Sequence, residues 1–260
     1  MKIAPLYHAL KKEDWAVPII VHTGQHYDIN MSDAFFQDLN LPEPNIHLNV
    51  GSGTHAEQTA KVMMAYEKVL MTERPDLVVV VGDVNSTMAA TIASVKLGIP
   101  VGHLEAGLRS FDRTMPEEIN RIVTDALADI LWTPSPDADE NLLKEGIPKE
   151  RIVRVGNIMI DSFEMLRPKI EENKSYVQFG LSQNNYGVVT LHRPSNVDDY
   201  TTLKQISLAL MRLSEKVSLV FPIHPRTRKN LEALNLIKNL ESAKNLILIE
   251  PLSYIPFMSL

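Results

Sequence analysis

The sequence contains no cysteine. This absence excludes disulfides, thiolate catalysis, cysteine-ligated zinc and iron–sulfur clusters. Long hydrophobic runs are missing too: the longest clean run, Leu77 to Val81, is far shorter than the roughly 18 residues that a membrane helix needs. The N-terminal stretch becomes charged from Lys11 onward, so no signal peptide is expected. These absences predict a cytoplasmic protein.

Basic residues are outnumbered, with 26 Lys and Arg against 32 Asp and Glu and a net charge of −6. This balance argues against a protein that binds nucleic acid by neutralising its phosphates, and no membrane partner is expected. Hydrophobic residues at 45% and charged residues at 22% are ordinary for a globular chain. The length of 260 residues corresponds to about two domains.

Short apolar runs rich in Val and Ile alternate with amphipathic stretches along the chain. Such runs are typical of strands in a parallel sheet, because both faces of the strand are buried. We predict strands at Val17–Val21, Leu77–Val81, Val101–Leu104, Ile130–Trp132, Ile152–Val155, Val188–Leu191, Leu219–Ile223 and Leu246–Ile249. The alternation predicts an α/β fold with parallel sheets.

Helix-start signals stand between these strands. Asn85 or Ser86 is expected to cap one helix, and Pro116 to occupy the first turn of another. Ser135-Pro136 is expected to open a third helix, and residues 3–10 form a further helical pattern.

A break in the alternation lies between Gly156 and about Gly187, and it contains Pro168 and a charged run. The break predicts two Rossmann-like domains, residues 1–157 and 158–260. The first domain is expected to lack its first strand, because its N-terminal residues already look helical. The second, with about three strands, is expected to be truncated.

Two predicted strands of the first domain end in acidic residues, Asp83 and Glu105. Ligands of open parallel sheets bind beyond the carboxyl ends of the strands, so these carboxylates are candidates for chemistry. The simpler alternatives are that Asp83 caps the following helix and that Glu105 pairs with Arg109. His103, inside its strand, is expected to be a packed core residue.

The segment MPEEINR adds Glu117 and Glu118 at a helix start. Glu117 is the stronger candidate, because an early helical position points toward the space above the sheet. The alternative is a helix-dipole acid that forms an i,i+4 pair with Arg121. Clustered carboxylates suit proton transfer, because mutual repulsion and burial move their pKa values apart.

Basic residues follow two strands of the second domain. They are His192 and Arg193 in TLHRPSN, and His224, Arg226 and Arg228 in FPIHPRTR. Arg and His suit a diphosphate, through bidentate or charge-assisted hydrogen bonds. Acids in one domain and phosphate-binding groups in the other favour a nucleotide-sugar enzyme.

Several classes of enzyme are disfavoured because their motifs, or the spacing of their metal ligands, are absent from the sequence. The strings GxGxxG, GxxxxGK[ST], HExxH and GxSxG are absent, which argues against NAD-dependent, P-loop, zinc-protease and serine-hydrolase functions. The remaining histidines lack metal-ligand spacing and are assigned to the surface or to packing: His22, His26, His47 and His55. Gln25 and His26 nevertheless follow a strand end, where they could contact a ligand.

Together these strings resemble the non-hydrolysing UDP-N-acetylglucosamine 2-epimerase family. The matching strings, in the family's order, are VHTGQHYD, GDVNST, GHLEAGLRS, MPEEINR, GNIMIDS, TLHRPSN, FPIHPRT and EPLSYIPF. HLEAGLRS followed by PEEINR is the most specific of them. The resemblance covers essentially the whole chain and implies two Rossmann-like domains facing across a cleft, the GT-B arrangement, in a homodimer.

The resemblance implies reversible interconversion of UDP-N-acetylglucosamine and UDP-N-acetylmannosamine, by elimination of UDP to a 2-acetamidoglucal and re-addition. It assigns acid/base roles to Asp83, Glu105 and Glu117, and assigns to His192 the stabilisation of the diphosphate or a proton transfer. Neither NAD nor another cofactor is expected, and no metal. The substrate-binding residues that it implies are Lys2, Gln25, Arg109, Arg193, His224, Leu252 and Phe257.

Two departures from the family pattern affect the ends of the chain. The family's leading strand with its GTRPE string and its later DSGG…EE segment are missing, so the chain resembles the central part of an epimerase, truncated at both ends. Lys2 is therefore expected to be poorly held. The alternatives are a GT-B glycosyltransferase or hydrolysing epimerase, and a non-catalytic fragment that at most binds UDP.

Overall fold

The computed structural model describes residues 1–24, 36 and 38–260. The chain divides into two compact units, Met1–Met165 and Leu166–Leu260, here called the N-terminal and C-terminal units. The domain boundary after residue 157 stays a proposal. The stretch after Gly156 is a helix rather than a linker, and it continues through Pro168.

The N-terminal unit alternates strands and helices along its length. Its elements are α1 (Ile3–Leu10), β1 (Val21–His22), β2 (Ile46–His47), α2 (His55–Glu73), β3 (Val78–Val81), α3 (Asn85–Lys96), β4 (Val101–Leu104), α4 (Pro116–Leu127), β5 (Ile130–Thr133), α5 (Pro136–Lys144) and β6 (Ile152–Arg154), followed by α6 (Ile158–Asn173), which runs past the division.

Four parallel strands in the order β3-β4-β5-β6 form the main sheet of this unit, and β1 and β2 form a parallel pair. All four residues of β4 are buried, as expected for a central strand. Leu131, Val101 and Leu142 belong to the apolar cluster that packs this sheet against its helices. The carboxyl ends of β3 and β4 therefore lie next to each other, with Val81 paired to Leu104.

The C-terminal unit contains a second parallel sheet with its own helices. It contains β7 (Tyr186–Val188), α7 (Pro194–Val197), α8 (Tyr200–Ser214), β8 (Ser218–Pro222), α9 (Pro225–Ala233), α10 (Ile237–Glu241), β9 (Leu246–Ile249) and α11 (Tyr254–Met258). Its three strands pair in the order β7-β8-β9. Phe221 and Leu203 lie at the centre of its core.

Most predicted elements are confirmed, and the errors concern short strands and caps. Of the strand predicted at Val17–Val21 only Val21 lies in β1, of the strand predicted at Val188–Leu191 only Val188 lies in β7, and β2 was not predicted. The helix after β3 has Val84 at its N-cap without a side-chain hydrogen bond, so the predicted cap at Asn85 or Ser86 is wrong. In the described parts of the chain, none of the helices combines the length and apolarity required to span a bilayer.

Candidate functional site

Asp83 lies just beyond the carboxyl end of β3, after Gly82. Arg121 of α4 donates from Nε at 3.0 Å and from Nη2 at 2.8 Å, both to Oδ2 of Asp83. Oδ1 has no partner among the described residues, and the side chain is 30% exposed. The carboxylate is thus oriented by a cation, and its other oxygen is free to accept a hydrogen bond or a proton.

Glu105 lies beyond the end of β4 and is the partner of Lys2, not of Arg109. Its backbone has φ +79°, a left-handed conformation that a residue with a side chain adopts at an energetic cost. The amide of Glu105 donates to the carbonyl oxygen of Trp132 at 3.0 Å, which holds this bend. The expectation that Lys2 is poorly held is wrong, since its ammonium forms an ion pair with Glu105.

Glycine at position 82 makes room for that ion pair. A Cβ at Gly82 would lie 3.2 Å from Nζ of Lys2 and 3.6 Å from Oε2 of Glu105, and Gly82 has φ +71°. A side chain here would therefore crowd the pair and strain the turn that carries Asp83.

Glu117 and Glu118 in the first turn of α4 have different environments. Glu117 is half-buried and makes no hydrogen bond or ion pair within the described ranges. Glu118 is buried and accepts hydrogen bonds from the amides of Ser110 and Phe111, both at 2.9 Å, and from Nη1 of Arg121 at 2.6 Å. The predicted pairing of Glu117 with Arg121 is wrong, because Arg121 bridges Asp83 and Glu118 instead.

His103 and Asp125 form a buried pair beneath these residues. The Nδ1 atom of His103 is 2.6 Å from Oδ1 of Asp125, and Nε2 is 2.8 Å from the carbonyl oxygen of Gly82. His103 is 1% exposed, which confirms the prediction of a packed core histidine.

Arg109, which was predicted to bind substrate, contacts this buried pair. Its guanidinium, 1% exposed, donates to Asp125 at 2.7 Å and to Glu145 at 2.7 and 2.6 Å. Burial acts to lower the pKa of Arg109, but the bonds to Glu145 and Asp125 outweigh it and raise the pKa overall. The guanidinium is therefore buried and bound to two carboxylates.

The predicted residues of the C-terminal unit follow β7 and β8. The rings of His192 and His224 are both exposed, and their centroids are 6.1 Å apart. The amide of Arg226 donates to Nδ1 of His224 at 3.2 Å, which leaves Nε2 as the protonated nitrogen that faces outward. Thr227 ties the two loops together by donating to the carbonyl oxygen of Leu191 at 2.6 Å.

Two of the three arginines in this region are already paired. Arg226 binds Asp198 at 2.5 and 2.9 Å, and Arg228 binds Glu250 at 3.0 Å. Arg193, at the N-cap of α7, is exposed, and within the described residues its guanidinium makes no ion pair. Of these three arginines, Arg193 is therefore the one whose guanidinium is not already paired within the described residues.

The remaining predicted positions are near the end of the chain or outside the described residues. Leu252 and Phe257 are half-buried in the segment that follows β9 and in α11. Gln25 and His26 lie outside the described residues. His55 donates to or accepts from Asn85 at 3.3 Å, which agrees with its assignment to packing.

Sequence reasoning missed the roles of Glu118, Asp125 and Arg121 as connecting residues. A signal for them exists, since all three are polar and fall at i, i+3 and i+7 on one face of α4. A polar stripe on a helix that must pack on a sheet is unusual, because an unpaired charge is costly when buried. It indicates a buried ion-pair network.

A model of the UDP-N-acetylglucosamine 2-epimerase family matches residues 8–260. The chain belongs to this family. The UDP-N-acetylglucosamine 2-epimerase of Methanocaldococcus jannaschii is 45% identical over 267 aligned positions, which cover 100% of this chain and 72% of that protein. The UDP-2,3-diacetamido-2,3-dideoxy-D-glucuronate 2-epimerase of Pseudomonas aeruginosa is 40% identical and covers 98% of this chain and 70% of its own length.

Solved structures of family members share the fold. The M. jannaschii epimerase in complex with UDP-GlcNAc and UDP superposes with a TM-score of 0.84 at 44% identity, covering 98% of this chain and 71% of that one. The Neisseria meningitidis epimerase bound to UDP-GlcNAc gives a TM-score of 0.87 at 31% identity, covering 99% and 71%. The predicted α/β fold with parallel sheets is confirmed.

Proposed function

We propose that this protein interconverts UDP-N-acetylglucosamine and UDP-N-acetylmannosamine by inverting carbon 2. The observation that carries the proposal is the pair of carboxylates at adjacent strand ends, Asp83 and Glu105, each held by its own cation. Membership of the epimerase family, and the M. jannaschii relative with UDP-GlcNAc bound, support the choice of substrate.

The chemistry explains why such groups are needed. The proton on carbon 2 is not acidified by an adjacent carbonyl carbon, so its removal requires a positioned base and stabilisation of the leaving UDP. The base takes this proton, the bond from carbon 1 to the UDP oxygen breaks, and a double bond forms between carbons 1 and 2. UDP then adds back to carbon 1 while a proton returns to carbon 2 from the other face.

We assign acid/base roles to Asp83, Glu105 and Glu117. The free Oδ1 of Asp83 and the unpartnered carboxylate of Glu117 support these roles, since neither group has to break an existing bond to accept a proton. His192 is proposed to stabilise the departing diphosphate or to transfer a proton.

We propose a smaller set of substrate-binding residues. The exposed Arg193 and the outward-facing Nε2 of His224 are suited to an anionic group. Lys2, Leu252 and Phe257 keep their proposed contacts, Gln25 keeps its proposed role, and Arg109 becomes a positioning residue.

Incubation with UDP-N-acetylglucosamine in deuterated water tests the reaction. Deuterium at carbon 2 together with UDP-N-acetylmannosamine is the expected result. Free N-acetylmannosamine plus UDP would instead indicate a hydrolysing epimerase. Absence of both products, with no shift of the melting temperature at millimolar UDP, would favour a non-catalytic fragment. The diacetamido substrate named for the P. aeruginosa relative serves as a specificity control.

Two substitutions at opposite ends of β3 test the site itself. Asp83→Asn is expected to lower kcat by roughly 100-fold or more without unfolding the protein. Asp76→Asn, an exposed acid before the same strand, is the matched control and should leave turnover unchanged. His192→Ala should also lose at least about 100-fold. Wild-type turnover in Asp83→Asn would refute the assignment.

We further propose that the protein is a homodimer, formed through the exposed face of α2, and that it works in the cytoplasm. Met64 and Met71 on this face are 60% and 62% exposed. Beside them, a groove of about 520 Å³ between α2, α3 and α4 is lined by apolar groups that include Met88. If two copies pair their α2 helices antiparallel about Met64, Lys61 lies opposite the partner's Glu67, so the face complements itself in charge.

Sedimentation velocity tests this interface. Met64→Glu should give monomers, whereas Val177→Glu, at an equally exposed position of the C-terminal unit, should leave the dimer intact. Lys61→Glu should weaken the dimer, and adding Glu67→Lys should restore it. A dimer that is insensitive to Met64→Glu would refute the proposed face.

A further inference from the structure

Among the groups that the proposed reaction leaves unused, His103 and Asp125 are a deeply buried ionisable pair of the N-terminal unit. Both side chains are 1% exposed. His103 is the third residue of β4, between Val80 of β3 and Leu131 of β5, so its neighbours in the sheet are apolar. A charged group is rarely buried in such a place unless its partners compensate it.

Asp125 is held as a carboxylate by its other contacts. Its Oδ2 accepts from Nη1 of Arg109 at 2.7 Å and from the amide of Gly107 at 3.0 Å. A guanidinium and an amide can only donate, so they favour the ionised form of Asp125. Glu145 binds the other side of Arg109 and belongs to the same network of charged groups.

The partners of His103 then indicate which of its two ring nitrogens carries a proton. Nδ1 is 2.6 Å from Oδ1 of Asp125, a carboxylate oxygen, and Nε2 is 2.8 Å from the carbonyl oxygen of Gly82. Both oxygens are acceptors, so both nitrogens must donate, and a neutral imidazole has one N–H only. The hydrogen bonds are complete only if the ring carries two protons.

The carbonyl that His103 holds belongs to the residue directly before Asp83. On its other side, the amide of Gly82 donates to the carbonyl oxygen of Leu104 at 3.1 Å. The turn is thus held at its oxygen by His103 and at its nitrogen by β4. A shift of this turn would displace Asp83, for which small errors of position are costly.

We propose that His103 is a buried imidazolium and a positioning residue. One ring N–H binds the Asp125 carboxylate and the other binds the carbonyl oxygen of Gly82, so His103 fixes the Gly82 turn and with it the position of Asp83. The part that concerns turnover rests on the proposed epimerase function. Arg109 and Glu145 act through Asp125, since they keep its carboxylate ionised and in place.

Two conservative variants separate positioning from a merely structural role. His103→Gln places an amide N–H near the Nε2 position and can still hold Gly82, whereas His103→Asn reaches only toward Asp125. We expect kcat to fall by less than about 10-fold in His103→Gln and by about 100-fold in His103→Asn, with little change of KM in either. Similar losses in both variants, or losses that follow their melting temperatures, would overturn the positioning role.

Nitrogen-15 NMR of the histidine-labelled protein tests the protonation state directly. The signals of His103 are assigned as those that disappear in His103→Gln. We expect them to show an N–H at both ring nitrogens at neutral pH. A single N–H with one unprotonated nitrogen would overturn the imidazolium. Because this measurement needs no substrate, it is independent of turnover: an inactive wild type would refute the proposed function and leave the NMR result to decide the charge.

Discussion

Replacing Glu118 with Gln removes a carboxylate that connects the loop before α4 to Arg121, the cation that binds Asp83. Glu118 is 2% exposed and accepts from the amides of Ser110 and Phe111 and from Arg121. Glutamine can offer one acceptor oxygen, and its amide nitrogen would face a donor. In either orientation of the glutamine amide at least one of the two backbone amides loses its acceptor, and the ion pair with Arg121 is lost because the new side chain is neutral.

The size of the effect follows from these contacts. Hydrogen bonds to a charged group contribute about 1.5–3 kcal/mol each, and breaking a buried ion pair on one side costs about 3–5 kcal/mol. The contributions overlap, because the same carboxylate makes all of them. We therefore expect Glu118→Gln to lower the free energy of unfolding of the N-terminal unit by about 3–5 kcal/mol at neutral pH.

The effect depends on pH. Burial acts to raise the pKa of Glu118, but the hydrogen bonds from Ser110, Phe111 and Arg121 outweigh it and hold the pKa below the usual 4.5. A carboxylate with a depressed pKa stabilises the fold fully above the unfolded pKa and loses this contribution as the pH falls through the folded pKa. The difference between wild type and Glu118→Gln should therefore shrink below about pH 4.5.

Urea unfolding followed by tryptophan fluorescence is the assay, since both tryptophans, Trp15 and Trp132, belong to the N-terminal unit. Glu117→Gln is the matched control: it alters the neighbouring, unpartnered acid and should change the stability by less than about 0.5 kcal/mol while abolishing turnover. Equal stability losses in the two variants, or a loss below about 1 kcal/mol for Glu118→Gln, would refute the reasoning.

Three further outcomes are expected. Gly107→Ala should lower the stability of the N-terminal unit by roughly 3 kcal/mol or more, because at φ +80° the added Cβ would lie 2.5 Å from the carbonyl oxygen of Ala138. The control is Gly146→Ala. Position 146 has φ +84° but open space around it, so this change should cost only about 1–2 kcal/mol in the same urea assay. Burial raises the pKa of Tyr66 to about 12 from 10.0. Wild type should therefore lose stability as the pH rises from about 10 toward 12, and Tyr66→Phe should lose less. Spectrophotometric titration and alkaline melts check this. Phe221→Ala should destabilise the C-terminal unit by about 3–5 kcal/mol, measured by calorimetry, and a loss below about 1 kcal/mol would contradict its place in the core.

The sequence predicted best the strands that form continuous apolar runs. β4 and β9 occur at the predicted bounds, because a continuous apolar run has few other stable environments. The two-residue strands β1 and β2 were mostly missed. Their pairing depends on a partner 25 residues away rather than on a local pattern.

Capping was predicted less well than helix position. Asn85 has the side chain of a good N-cap, yet it lies one residue inside α3. There it binds His55, Gln58 and Asn120, which come from other elements. A polar side chain can satisfy its hydrogen bonds locally or across the fold, and tertiary packing decides between the two.

By itself the sequence determined the α/β class, the family and the carboxylates that follow β3 and β4, because apolar periodicity and short motifs are local properties. Only the tertiary structure decided which cation binds which acid. Arg121 pairs with Asp83 and Glu118 rather than with Glu117, and Lys2 with Glu105. The two residues of the Arg121–Asp83 pair are 38 positions apart in the sequence, and those of the Lys2–Glu105 pair are 103 positions apart. Ion pairing depends on distance and burial in space, which spacing along the chain does not encode.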